Sequence, residues 1–333
     1  MKIIIPMAGM GKRMRPHTLT VPKPLIKVAG KTIVRRLVEE IAKVSNEKIE
    51  EIAFIIGDFG KDVENELLNI ASSLDSKGSI YYQNEALGTA HAIYMAEQSL
   101  SGNVIVAFAD TIFKADFKLE KEADSVIWVQ KVEDPSAFGV VKIDNNNCIT
   151  DFVEKPKDFV SDLAIIGIYY FKDGENLRNE IKFIIDNNLK ENGEYQLTNV
   201  LENMKNKGKI FKPGQVIEWM DCGNKNATVN TNQRVLEYHK NDKLVSDNYT
   251  ANNSLIIEPC YIGENVKLEN SIVGPYVSIG EGSSISSSVI TNSILQDEII
   301  IENSVIDNSM LGTSSLVKNK KLDLSISDYS TIE

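Results

Sequence analysis

The stretch KIIIPMAGMGKRMRPHTLTVPKPL, residues 2–25, decides the fold. Ile3, Ile4 and Ile5 form a short continuous apolar run, the pattern of a strand buried on both faces. The run empties into Gly9 and Gly11, and Lys12, Arg13, Arg15 and Lys23 follow. In a parallel sheet, ligands collect beyond the carboxyl ends of the strands, where loops lead into helices. Two glycines there permit a sharp turn and expose N–H groups that cradle phosphate oxygens. Arg13 and Lys23 add full charges that the backbone cannot supply. The plainer alternative is a tight turn ringed by solvated cations, as most charge runs are. Neither standard phosphate motif fits. The dinucleotide fingerprint needs a glycine at Met14, and Gly30-Lys31-Thr32 ends like a Walker loop whose first glycine falls on Leu25.

Outward from this stretch, strand and helix patterns alternate up to about residue 235. Apolar runs predict strands over 2–6, 52–56, 79–83, 104–109 and 125–130. Helical periods fall between them, over 32–44, 61–74 and 89–98, with Ile33, Leu37, Ile41 and Val44 on one face of the first. Strand then helix, repeated, predicts an α/β fold with a mostly parallel sheet covered on both faces. Residues 139–143 and 149–153 flank Asp144-Asn145-Asn146-Asn147 and read as a hairpin.

The helical period ends near His239. Residues 239–253, HKNDKLVSDNYTANN, are polar and aperiodic and read as a linker. Beyond them Ile256, Val273 and Ile290 recur every seventeen residues, as do Ile262 and Ile279, and Leu268 and Ile285. Stacking each inward aliphatic on its equivalent one rung below requires that spacing in a triangular coil. Residues 254 to about 317 therefore predict a left-handed parallel β-helix of three to four rungs. After Lys318 the period is lost, and the tail is expected to cap the last rung or fray.

The 333 residues carry a formal net charge of −11, which argues against a general nucleic-acid or anionic-membrane surface. No stretch approaches the ~20 apolar residues of a membrane span, and the apolar N-terminal run is too short for a signal peptide. Cys148, Cys222 and Cys260 are widely spaced, so reduced thiols and a cytoplasmic location are expected.

The segment GMGKRMRPHTLTVPKPLIKVAGKTI resembles the signature of the sugar-1-phosphate nucleotidylyltransferases. Further marks follow in that family's order: QNEALGTAHAI at 83–93, Asp110 after an apolar strand, FGVV at 138–141, EKP at 154–156, AIIGIYYF at 164–171 and WMDCG at 219–223. The resemblance spans the chain and is similar in particular to long glucose-1-phosphate thymidylyltransferases, whose long forms carry a hexapeptide-like coil. It implies a Rossmann-like nucleotidyltransferase domain over 1–238, the linker 239–253 and the β-helix over 254–333. It also implies that a nucleoside triphosphate, dTTP or UTP, meets a hexose 1-phosphate, glucose 1-phosphate being favoured, with Mg2+ as cofactor and pyrophosphate as leaving group. A homo-oligomer is expected, with neither nucleic acid nor membrane as partner.

By the same resemblance, Arg13 grips the triphosphate and Lys23 lies near the phosphates, aimed by its flanking prolines. Ala8, Gly9, Gly11, Gln83, Gly88 and Thr89 bind the nucleotide, Gln83 reading the base with an amide that both donates and accepts. Gly139, Glu154, Lys155, Gly167 and Tyr169 surround the sugar phosphate. Glu154 and Lys155 are adjacent, so they serve one ligand only if the strand ends there, and Pro156 supplies an ending. Asp110 and Asp221 hold the metal, since magnesium takes one or two carboxylates beside phosphate oxygens and water. An aspartate after a buried strand also serves as a helix cap.

Four positions depart from the family pattern: Lys12 for threonine or serine, Thr32 for proline, Phe138 for tyrosine, and Asn192 where short thymidylyl enzymes place an arginine. Other readings stay open. They are a mannose-1-phosphate guanylyltransferase, a catalytically silent subunit sensing nucleotide sugars, and an acetyltransferase coil, although no histidine follows His239. His17, His91 and His239 have no metal-ligand spacing, and His91 on its helix reads as packing; Trp128 and Trp219 read as core.

Overall fold

The computed structural model describes residues 1–45, 47–115, 123–319 and 321–332. The chain opens with strand β1 (Lys2–Pro6), the short pair β2 (Lys27–Val28) and β3 (Lys31–Thr32), and helix α1 (Ile33–Val44). Next come β4 (Glu51–Ile56), α2 (Lys61–Ser72), β5 (Lys77–Tyr82), α3 (Thr89–Tyr94), β6 (Val104–Ala107) and β7 (Thr111–Lys114). Strands β8 (Ser125–Lys131), β9 (Gly139–Ile143), β10 (Ile149–Glu154) and β11 (Leu163–Phe171) follow. Helices α4 (Gly174–Asp186) and α5 (Leu197–Asn206), strands β12 (Phe211–Gln215) and β13 (Glu218–Asp221), and helix α6 (Lys225–Tyr238) precede the coil. Each strand expected from an apolar run is present, and so is the 139–154 hairpin, with β9 and β10 antiparallel.

Two units account for these elements: residues 1–9 with 37–219, and residues 10–36 with 220–333. In the first, β1 pairs in parallel with β4 on one edge and β6 on the other, and β5 extends the parallel set beyond β4. The Rossmann-like, mostly parallel sheet is thus present. Strand β11 joins it antiparallel to β6 and carries the β9–β10 hairpin and β8. Ile3, Ile4 and Ile5 are fully buried, as a strand covered on both faces demands. Under the opposite edge, the buried Glu51 accepts from Ser79 Oγ at 2.5 Å and Ser99 Oγ at 3.0 Å. Burial alone would raise its pKa, but these bonds and Lys77 bring it below the usual carboxylate range.

The second unit contains the signature segment, α6 and the coil. The coil is three parallel sheets of six, five and five short strands. Ile262, Leu268, Val273, Ile279, Ile285 and Ile290 all point inward and are buried, as the seventeen-residue period requires. Pairing starts earlier than expected, with a bridge from Val245 to Ile262 and the strand Thr250–Asn252 against Lys267–Glu269. The strand Thr250–Asn252 is exposed, so its sequence is polar and looks like linker. Pairing also continues past Lys318, through Lys321–Leu322, Ser325–Ile326 and Thr331–Ile332. The period is lost to the eye there because the turns shorten: the partners of Lys267 are Ser284, then Ile300, then Leu316, then Thr331.

Buried serines line the corners of the coil, each satisfying the backbone of the next turn. Ser271 N–H donates to Ser254 Oγ, Ser288 N–H to Ser271 Oγ and Ser304 N–H to Ser288 Oγ, all at 3.1 Å. The signature segment rests on this coil through polar bonds. Lys27 Nζ donates to Asp297 at 2.5 Å, Thr20 Oγ1 to Asp328 at 2.5 Å, and His17 Nε2 lies 2.9 Å from Ser325 Oγ. Gly30, at φ +81°, faces the Tyr261 ring so closely that a Cβ would lie 2.2 Å from it.

Two outcomes are expected from unfolding measurements. Truncating the fully buried Ile279 to alanine should cost about 2–5 kcal/mol in a urea titration, from lost burial plus the cavity left behind. His17 is buried, which lowers its pKa to about 4. An unfolded histidine takes up its proton near pH 6.5, so between these values the unfolded chain binds more protons than the folded one. Stability should be complete above pH 6.5 and decline toward pH 4 by up to about 3 kcal/mol. The His17→Gln variant should lose that slope; an unchanged slope would acquit His17.

Candidate functional site

At the carboxyl end of β5, Gln83 N–H donates to Ile56 O at 2.9 Å, keeping the chain in the sheet for one residue more. The Gln83 side chain turns back onto the loop before α3, its Nε2 lying 3.2 Å from Gly88 O and 3.1 Å from His91 Nδ1. Gly88 has φ +113°, and a Cβ there would lie 2.5 Å from Tyr195 O and 2.7 Å from Tyr195 N, so only glycine fits. Tyr195 N–H in turn donates to Leu87 O at 2.8 Å, and Ala90 N–H to Tyr195 O at 2.9 Å. Thr89 fastens the same corner: its Oγ1 accepts from Leu197 N–H at 2.9 Å and donates to Gln196 Oε1 at 3.2 Å. At the end of β1, Met7 N–H donates to Ile55 O at 2.8 Å, and a Cβ on Gly9 would meet nothing within 4 Å. Ala8 and Gly9 therefore present open backbone at the same edge of the sheet as Gln83.

A second group gathers around β11. Tyr169 is buried, and burial first, then the Glu154 and Asp110 carboxylates, push its phenol pKa far up. All three side chains thus share one electrostatic neighbourhood. Glu154 closes β10 opposite Gly139. A Cβ on Gly139 would sit 3.2 Å from Glu154 Oε2 and 3.3 Å from Thr198 Cγ2, so the bare glycine leaves room for that carboxylate. Thr198 Oγ1 donates to Glu154 Oε2 at 3.2 Å. Lys155 takes φ +41°, which breaks the alternation of an extended strand and lets its ammonium lie 3.4 Å from Glu154 Oε1. Gly167, at φ +83°, sits where the β11–β8 register slips, and its carbonyl accepts from Phe108 N–H at 2.9 Å. Asp110 follows β6, two residues after Phe108. Trp219, read as core, is only half-buried: it meets Phe138 edge-on at 5.1 Å, and its Nε1 lies 3.3 Å from Thr111 Oγ1.

The remaining candidates belong to the second unit. Gly11 is left-handed at φ +57°, and its carbonyl accepts from Met14 N–H and Thr18 Oγ1, both at 2.9 Å. A Cβ there would lie 3.0 Å from the Lys23 Cβ. The stem of Lys23 thus packs directly on the glycine turn, and the residue is buried. Arg13 is exposed on the single turn Lys12–Met14. Asp221 ends β13, and a Cβ on Gly223 would lie 2.8 Å from its Oδ2. Thr231 Oγ1 donates to Asp221 O at 2.8 Å, and Asn224 caps α6 by accepting from Ala227 N–H at 3.0 Å. Asp221 is therefore not the cap of that helix.

Among the described residues no three His, Cys, Asp or Glu side chains form a metal cage. The donors on hand, Asp110 and Asp221, are hard carboxylate oxygens. Each, in its own unit, offers the donor type magnesium takes, one or two carboxylates beside phosphate oxygens and water. Three contributors escaped sequence reading: Thr198 on Glu154, Tyr195 against Gly88, and His91 on Gln83. The first two lie in EYQLT, residues 194–198, whose spacing carries no signal of partners 44 and 107 residues away in sequence. Asn192, the departure from the arginine pattern, is exposed at φ +52° in the turn before that segment, a conformation asparagine tolerates well.

Known proteins share this framework. The chain is 28% identical over 327 residues to a glucose-1-phosphate thymidylyltransferase of Streptomyces antibioticus, covering 90% of this chain and 88% of that protein. It is 29% identical over 267 residues to the bifunctional protein GlmU of Methanococcus vannielii, spanning 61% of that protein's length. A solved nucleoside-diphosphate-sugar pyrophosphorylase from Vibrio cholerae RC9 superposes with TM-score 0.60 at 20% identity, over 69% of this chain and 99% of that one, a likeness of fold. The family model described as nucleotidyl transferase matches residues 2–238, more than two-thirds of the sequence, so the chain belongs to the nucleotidyl transferase family.

Proposed function

We propose that the protein joins a nucleoside triphosphate, UTP or dTTP, to glucose 1-phosphate, giving a nucleoside-diphosphate sugar and pyrophosphate. The reading is carried by the two groups on the first unit: an amide fixed on a glycine turn, and a carboxylate–tyrosine–lysine cluster whose carboxylate packs against the bare Gly139. The first suits a planar base. The second suits a hydroxylated ring bearing a phosphate, with Glu154 accepting from sugar hydroxyls and Lys155 pairing with the phosphate. Buried Tyr169, its proton held tightly, acts as a donor or a wall and not as a base.

The reaction is a displacement at the α-phosphorus. A sugar-phosphate oxygen forms the new P–O bond, the bond to the β-phosphate breaks, and pyrophosphate carries away the electron pair. Two polyanions must approach, so positioning and charge neutralisation supply most of the catalysis. Arg13 offers a planar fork that holds two phosphate oxygens at once, and Lys23 a point charge fixed by its packing. Ala8, Gly9 and Gly11 offer backbone N–H groups to the phosphates. Asp110 and Asp221 would hold magnesium, which when bound neutralises charge on the phosphate oxygens. We place the enzyme in the cytoplasm as a homo-oligomer, with the coil as its assembly surface.

A matrix of five triphosphates against several sugar 1-phosphates, read by pyrophosphate release, tests the reading. UTP or dTTP with glucose 1-phosphate should dominate. A matrix silent throughout, with nucleotide sugars still bound, would assign a sensing role instead. Asp110→Asn and Asp221→Asn should each lower kcat at least about a hundredfold, as loss of a charge-stabilising group does, and raise the magnesium requirement. Wild-type turnover in either variant removes that residue from the metal site. Arg13→Lys keeps the charge but loses the fork, and should fall roughly tenfold or more in kcat/KM for the triphosphate.

A further inference from the structure

We infer that His91 positions the Gln83 amide and thereby makes it a pure acceptor, so that the site selects bases presenting a ring N–H. The inference rests on the nucleotide reading above. A carbonyl oxygen can only accept, so the Gln83 atom 3.2 Å from Gly88 O must be the amide nitrogen. Its second proton points to His91 Nδ1, 3.1 Å away. Both amide protons are then committed within the protein, and only Oε1 is left for a ligand. His91 must accept at Nδ1, which leaves its ring proton on Nε2. The ring is placed to do so by the local fold. His91 is the third residue of α3, and helical side chains lean back toward the helix N-terminus, here the Gly88 turn. Partial burial lowers the pKa of His91 and favours the neutral ring, against the opposing pull of Glu85.

An unassisted glutamine can rotate its amide and greet either a donor or an acceptor. Locked as it is, Gln83 matches the N3–H of uracil or thymine. Cytosine presents a lone pair at the same ring position and would face Oε1 with a second lone pair. Preference for UTP and dTTP over CTP thus depends on a residue that touches no ligand, and His91 is a positioning residue.

Three proteins suffice for the test: wild type, His91→Leu, which keeps bulk but removes the acceptor, and His91→Asn, which retains a side-chain acceptor near the Nδ1 position. His91→Leu should raise KM for UTP and dTTP roughly tenfold, the scale of one lost hydrogen bond, and cut the UTP:CTP preference by a similar factor. The effect should fall on KM and not on kcat, and His91→Asn should restore most of both. Wild-type KM and selectivity in His91→Leu would overturn the inference. The tautomer is read separately from the imidazole nitrogen shifts of 15N-histidine protein at neutral pH. A proton on Nε2 supports the assignment, and a proton on Nδ1 overturns it even if the leucine variant fails to fold. A wild-type protein inert with every triphosphate would sink the proposed reaction, while the nitrogen shifts would still judge the His91–Gln83 bond.

Discussion

Strand β1 is hydrogen-bonded along both edges, and no side chain from Ile3 to Ile5 reaches water. That single constraint orders the first unit. A strand with both edges and both faces occupied can neither slip nor rotate, so whatever leaves its carboxyl end leaves from a fixed point. The chain leaves as Met7, Ala8 and Gly9, still tied to β4 by the bond from Met7 to Ile55. Two strands away, Gln83 continues the edge strand β5 and is held only from the β4 side, by its bond to Ile56, before its side chain turns onto Gly88. The Ala8–Gly9 backbone is closely placed because it lies two or three residues beyond a strand held on every side.

Much of this was legible in residue order, because it depends on local pattern. Period-two and period-3.6 repetition located strands and helices, and seventeen-residue repetition located the coil. The failures have a common cause. The coil's first strand, Thr250–Asn252, is solvent-exposed and so carries no apolar mark, while its last turns shorten and break the count that identified the others. In both places the backbone pairing persists after the side-chain signal has gone.

The candidate site was legible as a set of residue types and not as a set of partners. Glu154 and Lys155 could be named from three letters, EKP. The left-handed turn at Lys155 that brings its ammonium to the Glu154 carboxylate, and the Thr198 hydroxyl that holds that carboxylate, could not. His91 looked like packing because helical position says nothing about what lies beyond the N-terminal turn. Tyr195 is necessary to the reading of Gly88: absence of a side chain becomes informative only when the atoms that would collide with it are known.

The serine columns of the coil have a further implication. Since each hydroxyl caps the turn that follows, whole turns are interchangeable, and nothing internal to the repeat says where it should stop. Yet Lys27 and His17 grip particular turns, Asp297 and Ser325, at different heights along the stack. The coil is therefore a ruler for the signature segment. Adding or deleting one turn, about 4.8 Å of rise, between Asp297 and Ser325 would leave the repeat intact and put its marks out of step with the residues they hold.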